Sequence, residues 1–159
     1  MIIIGYQGIG KSTLAKRNVN YVDLESGNFF IDGKRAVDWY KPYCKIAEHI
    51  SQQGYDVFVS SHKVVRDTLK NSSETIMCCA PTIELKDFWI DRLAKRYEES
   101  QSLKDYKAWK NAEACYEENI KDIAASGFPM IWIDDPDYEL SVTILKAIHK
   151  KMGKDQTLT

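Results

Sequence analysis

Short, nearly unbroken apolar runs alternate along the chain with longer stretches in which apolar residues recur every three or four positions. The runs at 1–4, 20–24, 56–60, 75–80 and 130–133 predict five strands. Most lack polar alternation, so each is expected to be covered on both faces, as in a parallel sheet packed between helices. The intervening stretches predict helices. One continues from residue 12 to 16, and Val37, Tyr40, Cys44, Ala47 and Ile50 mark a second, which Pro42 should delay or kink. Leu85, Trp89 and Leu93 repeat at intervals of four, and Trp109, Ala112, Tyr116, Ile120 and Ile123 form a longer stripe. Ile144, Leu145 and Ile148 belong to the last helix, with Asp135 a candidate cap and Pro136 in the first turn. The pattern predicts one three-layer α/β/α domain over 1–152 with a parallel sheet of about five strands, and a flexible tail at 153–159.

Two stretches exceed what plain alternation needs. The segment 25–45 is glycine-punctuated between a strand and its helix, and 91–118 is highly charged and longer than a crossover requires. In an open parallel sheet ligands sit beyond the carboxyl ends of the strands, where such excursions can serve as an acceptor-binding segment and a lid.

Composition narrows the partners. A formal charge of −1 and a pI near 6.3 leave no electrostatic footprint for bulk nucleic acid or membrane. Lys104, Lys107 and Lys110 interleave with Tyr106 and Trp109, but Asp105, Glu113, Glu117 and Glu118 make this a solvated face rather than a nucleic-acid grip. Cys44, Cys78, Cys79 and Cys115 lack zinc-ligand spacing and are expected as free thiols of a reduced compartment. With a core strand at its start and no apolar stretch of membrane-spanning length, the chain is expected without a leader and in the cytoplasm.

The chemistry concentrates at residues 5–12, Gly-Tyr-Gln-Gly-Ile-Gly-Lys-Ser, directly after the first predicted strand. This fits G-x-x-x-x-G-K-[ST], a turn whose backbone N–H groups wrap a phosphate chain at the start of a helix. Gly5, Gly8, Ile9, Gly10, Lys11, Ser12 and Thr13 are the expected contacts. Lys11 would reach the β- and γ-phosphates, and the Ser12 hydroxyl a bridging Mg²⁺.

Asp23 and Glu25 end the second predicted strand, at the same sheet edge as the glycine turn, where a carboxylate can hold Mg²⁺ or orient an attacking hydroxyl. The third strand ends on Ser60, followed by Ser61 and His62, so a metal-linked carboxylate is expected from Asp23 or Glu25, with Asp134 and Asp135 more distant candidates. Arg92 and Arg96 lie one helical turn apart, and guanidinium forks suit charge stabilisation during phosphoryl transfer. Arg35 and Arg66 are candidate acceptor clamps.

With these residues placed, the chain resembles the nucleoside monophosphate kinase-like group of P-loop NTPases, which includes adenylate, shikimate and gluconate kinases. The residues after the third strand, Ser60-Ser61-His62-Lys63 through Arg66-Asp67, look like the corresponding stretch of gluconate kinases, and Asp23-x-Glu25 is similar to the Asp-x-Asp of shikimate kinases. The resemblance implies a kinase that uses ATP and Mg²⁺. Asp23 and Glu25 would lie near metal and acceptor, and Arg92 and Arg96 would open a lid closing over the donor phosphates. The Asp-Gly-Phe-Pro-Arg of adenylate kinases and the Gly-Gly-Gly of shikimate kinases are missing, so the family leaves the acceptor open. A nucleoside or deoxynucleoside monophosphate is the leading expectation. The alternatives are an alcohol acceptor (a sugar acid or a polynucleotide 5′-hydroxyl) and a non-catalytic nucleotide-binding module.

Overall fold

The computed structural model describes residues 1–156 and defines an α/β protein. Five parallel strands form its sheet in the order β2–β5–β1–β6–β7: β1 (Ile2–Gly5), β2 (Tyr21–Asp23), β5 (Asp56–Ser60), β6 (Ile76–Pro81) and β7 (Met130–Ile133). Helices lie on both sides. Ile2, Ile3 and Ile4 are fully buried because β1 occupies the centre, pairing with β5 on one flank and β6 on the other. An Ile→Ala change there is expected to cost about 2–5 kcal/mol, a large part of the roughly 5–15 kcal/mol that holds such a domain together.

This strand order sets the working edge. From β1 the chain runs to β2 on one side, and from β5 it later crosses to β6 on the other, so a crevice opens beyond the carboxyl end of β1. The register aligns Gly5 with Ser60 and Cys79, and Asp23 with Phe58. Gly5, Asp23 and Ser60 therefore all reach the same edge.

The helices are α1 (Lys11–Arg17), α2 (Tyr40–Gln52), α3 (Lys63–Leu69), α4 (Lys86–Ser100), α5 (Leu103–Ala124) and α6 (Leu140–Gln156). Pro42 delays α2 and does not kink it: the helix begins at Tyr40, with Pro42 its third residue, where the missing N–H has no intrahelical duty. Val37 lies before the helix and is exposed, whereas Tyr43 is fully buried on the face toward the sheet. Asp135 does not cap α6. It shapes a turn ahead of that helix, its carboxylate accepting from the N–H of Asp137 at 2.8 Å. The expected tail is helical as far as Gln156, and residues 157–159 lie outside the described part.

The two long excursions take definite form. After a 3-10 turn at Ser26–Phe29, a minimal hairpin pairs β3 (Phe30–Ile31) with β4 (Lys34–Arg35). Its two-residue turn is Asp32-Gly33, both at positive φ (50° and 75°), the combination that matches strand twist. Helices α4 and α5 fold back on each other through Gln101, with Ser102 capping α5 by accepting from the N–H of Asp105. Tyr97, Tyr106 and Trp109 pack together near this hairpin's tip. Cys44, Cys78 and Cys79 are buried free thiols, and Cys115 is free and half-buried. Among the described residues, no helix is long and apolar enough to cross a membrane.

Candidate functional site

The 5–12 loop leaves β1 and turns back into α1 with Gly8 and Gly10 both left-handed, at φ 83° and 99°. Gly8 is further constrained from outside. A Cβ there would sit 3.0 Å from Leu93 Cδ2 and 3.2 Å from Trp89 Nε1, because α4 packs directly against the turn. Five carbonyls of the loop are engaged. Gly5 O accepts from Lys11 Nζ at 3.0 Å, Gln7 O from Trp89 Nε1 at 2.8 Å, and Gly8 O from Arg92 Nε at 2.8 Å. Ile9 O accepts from the Tyr138 hydroxyl at 2.7 Å, and Gly10 O from the N–H of Leu14 at 3.0 Å.

The N–H groups have the opposite fate. Among the described residues, no protein acceptor meets those of Gly8, Ile9, Gly10, Lys11, Ser12 or Thr13. Successive unpartnered amides on a turn of alternating handedness form an anion-binding concavity. Helix α1 has only seven residues, so these amides and Lys11 matter more than its dipole.

Lys11 is the cation of this concavity. The pKa of its ammonium is pushed down, first by desolvation and then by Lys104 and Arg96, while Asp23 and Glu25 oppose the shift. Asp23 moves the other way. Desolvation and the neighbouring Glu25 raise its carboxyl, against the pull of Lys11. Ser12, Asp23 and Glu25 line one open cleft of about 520 Å³ together with Lys16 and Tyr21.

The residues fit a nucleotide and its Mg²⁺ in chemistry. The amides and Lys11 are donors without acceptors, and the exposed Ser12 hydroxyl shares its cleft with two carboxylates. Among the described residues, no three-residue cluster of His, Cys, Asp or Glu could hold a metal alone. Mg²⁺ bound through one or two protein oxygens, phosphates and water needs none.

A second group of residues gathers near the carboxyl end of β5, where Ser60 lies level with Gly5. Arg35, on β4, lies over the ring of Trp39 (4.4 Å to the centroid) and near that of Phe30 (5.1 Å). It donates to Ser26 Oγ at 2.9 Å and to His62 Nε2 at 3.2 Å, and its Nε is buried without a partner. No carboxylate pairs with it among the described residues. Because a guanidinium only donates, Nε2 must accept, so Nδ1 carries the hydrogen and donates to Ser60 Oγ at 2.7 Å. The Ser60 hydroxyl hydrogen is then free to donate onward. The backbone N–H of Ser60 is anchored on the Tyr43 hydroxyl, which donates to Leu24 O at 2.7 Å. Although His62 as a residue is exposed, desolvation is the first cause that pushes its imidazole down to about 4, followed by Arg35 and Lys11.

The α4–α5 hairpin reaches this cleft from above. Lys104 pairs with Glu25 at 2.7 Å, and Arg96 is held by Asp105 at 2.6 Å. Arg92 departs from its expected companionship with Arg96. It lies against the loop, over the rings of Trp89 and Tyr138. Arg66 is also placed elsewhere. It is 5 % exposed and donates to Ser61 O, to Asp122 O and to the Asp122 carboxylate, tying α3 to α5. Lys110 pairs with Glu113 and lies 3.8 Å from the Trp109 centroid, a solvated arrangement. Asp134 and Asp135 are exposed after β7.

Sequence reasoning missed Ser26, Phe30, Trp39, Tyr43, Trp89 as a donor, and Tyr138. The Asp32-Gly33 turn was a readable signal for the hairpin that carries Phe30 and Arg35. Nothing local marks Tyr138, whose partner stands at the opposite end of the chain. No family model matches this chain, and no curated protein matches it.

Proposed function

We propose that this protein is a P-loop phosphotransferase that moves the γ-phosphate of ATP to a small acceptor, with a nucleoside or deoxynucleoside monophosphate the leading candidate. The observation that carries the reading is the row of six unpartnered N–H groups around Lys11. In this reading Lys11 leaves Gly5 O for the donor phosphates as they fill the loop. Ser12 and Asp23 would hold Mg²⁺, which would supply neutralisation of the phosphate charge. Arg96, reaching the cleft from α4, faces the migrating charge.

Arg35 favours an anionic acceptor. A half-buried guanidinium without a carboxylate is costly, and cation–π contact with Trp39 and Phe30 offsets only about 0.5–2 kcal/mol of that cost. A phosphate monoester would complete it. Glu25, which lines the cleft with Ser12 and Asp23, would then help to position the acceptor.

The test is ATP consumption with and without acceptors: ribo- and deoxynucleoside monophosphates, sugar acids and 5′-hydroxyl oligonucleotides, each with Mg²⁺. Turnover only with a nucleoside monophosphate is the expected result. Exclusive phosphorylation of an alcohol, abolished by Asp23→Asn while ATP still binds, would transfer Asp23 to the role of base and replace the acceptor. Tight Lys11-dependent nucleotide binding with no turnover on any acceptor would make the protein a regulatory module.

A further inference from the structure

We propose that Trp89, Arg92 and Tyr138 form a clamp that turns three consecutive carbonyls of the 5–12 loop away from the cleft and so preforms its amides for a polyphosphate before any ligand arrives. The inference rests on the phosphate-binding reading above. Its physical basis is the planarity of the peptide bond. In a trans peptide the carbonyl of one residue and the N–H of the next point in opposite directions, and no cis peptide occurs among the described residues. Holding Gln7 O therefore aims the N–H of Gly8, holding Gly8 O aims that of Ile9, and holding Ile9 O aims that of Gly10. Trp89, Arg92 and Tyr138 supply one donor to each of these oxygens, at 2.8, 2.8 and 2.7 Å.

The three donors brace one another. The Trp89 and Tyr138 rings stack at 6.0 Å with 23° between planes, and the Arg92 guanidinium lies 5.5 and 5.9 Å from their centroids. They come from α4 and from the segment before α6, so a turn with two left-handed glycines is held from outside by two elements that do not belong to it. Such a turn left alone would sample conformations that present carbonyl oxygens to the phosphate. The close seat of α4 against Gly8 explains why the donors can be so short. Arg92 and its two companions are positioning residues here, acting on the ligand through the backbone.

Isothermal titration of the full chain with inorganic tripolyphosphate and with ATP tests the clamp, using Tyr138→Phe, which removes one hydroxyl. Trp89→Phe, which keeps a ring but removes the N–H, is the second variant should the first not fold. Each is expected to lose about 3- to 10-fold in affinity for both ligands alike, with acceptor KM unchanged and thermal unfolding still well above the assay temperature. A wild-type protein that binds neither ligand would defeat the phosphate-binding reading itself. If the wild type binds both and the folded variants bind as tightly, the clamp is overturned. A loss confined to ATP would overturn it too, since that would place the side chains on the nucleoside.

Discussion

Two regions at the carboxyl end of the sheet match their polar groups in opposite ways. Around the 5–12 loop the carbonyls of Gly5, Gln7, Gly8, Ile9 and Gly10 have protein donors and six successive amides are left over, whereas around the β3–β4 hairpin a guanidinium sits against two aromatic rings with no anion opposite among the described residues. The loop side is preset by long-range contacts from α4 and the segment before α6. On the hairpin side, the supports of Arg35 are Ser26, Phe30, Trp39 and His62, and none of them carries a negative charge. Under the proposed function, the difference means that the side given to the donor phosphates would be set before binding, and that the side given to the acceptor would reach electrostatic balance only with a ligand in place.

Lys11→Ala is the sharpest way to break this comparison, since it deletes the one side-chain cation at the centre of the amide row. Turnover should fall by about 10²–10³-fold and triphosphate affinity with it, while far-ultraviolet circular dichroism stays unchanged. Wild-type affinity in this variant would remove the loop from the mechanism. Arg35→Ala should act on the other side alone. Acceptor KM is expected to rise about 10- to 100-fold with ATP affinity unaltered, and Arg35→Lys should recover little, because a point charge cannot keep the fork to Ser26 and His62. Parallel losses for donor and acceptor would mean that the two sides are one site.

The same contrast describes what the sequence could tell. The central strands β1, β5 and β6 were readable because both faces of each are buried, which turns a strand into a bare apolar run; 56–60 and 130–133 match β5 and β7 to the residue, although Trp132 of β7 is exposed. The glycine turn was readable because backbone conformation is written in local residue types. Arg66 was misread because an arginine near a strand end looks the same whether it faces a ligand or, as here, Asp122 on a helix that is distant in sequence. Arg92 and Arg96, four apart on one helix, suggested a shared role, yet the first meets a loop carbonyl and the second Asp105 across the helical turn. Such pairings depend on which elements pack together, and periodicity carries no record of that. Pro42 shows the converse, a local rule sufficient by itself: the helix starts late enough to hold the proline in its first turn, and Val37 stays outside.

The smallest predicted effect concerns His62, and it probes whether the surroundings of Arg35 are held in the donor pattern inferred for them. With Nε2 accepting from Arg35, the ring resists protonation, and its pKa lies near 4 rather than the ordinary 6.5. An unfolded chain takes up that proton as pH drops below 6.5, while the folded one does not. The folded state is therefore at full strength above pH 6.5 and loses ground as pH falls from there toward about 4. Asp23, whose carboxyl is raised, works in the opposite direction, but it is common to wild type and variant and cancels in their difference. Urea midpoints at pH 7 and pH 5 should thus diverge more in the wild type than in His62→Gln, by a modest amount because the outer face of the residue stays hydrated. An anionic acceptor seated at Arg35 should shrink the gap, since its charge relieves the repulsion that helps keep the ring neutral. Equal pH sensitivity in the two proteins would show that His62 is free to take a proton, and that Arg35 is not committed to its Nε2.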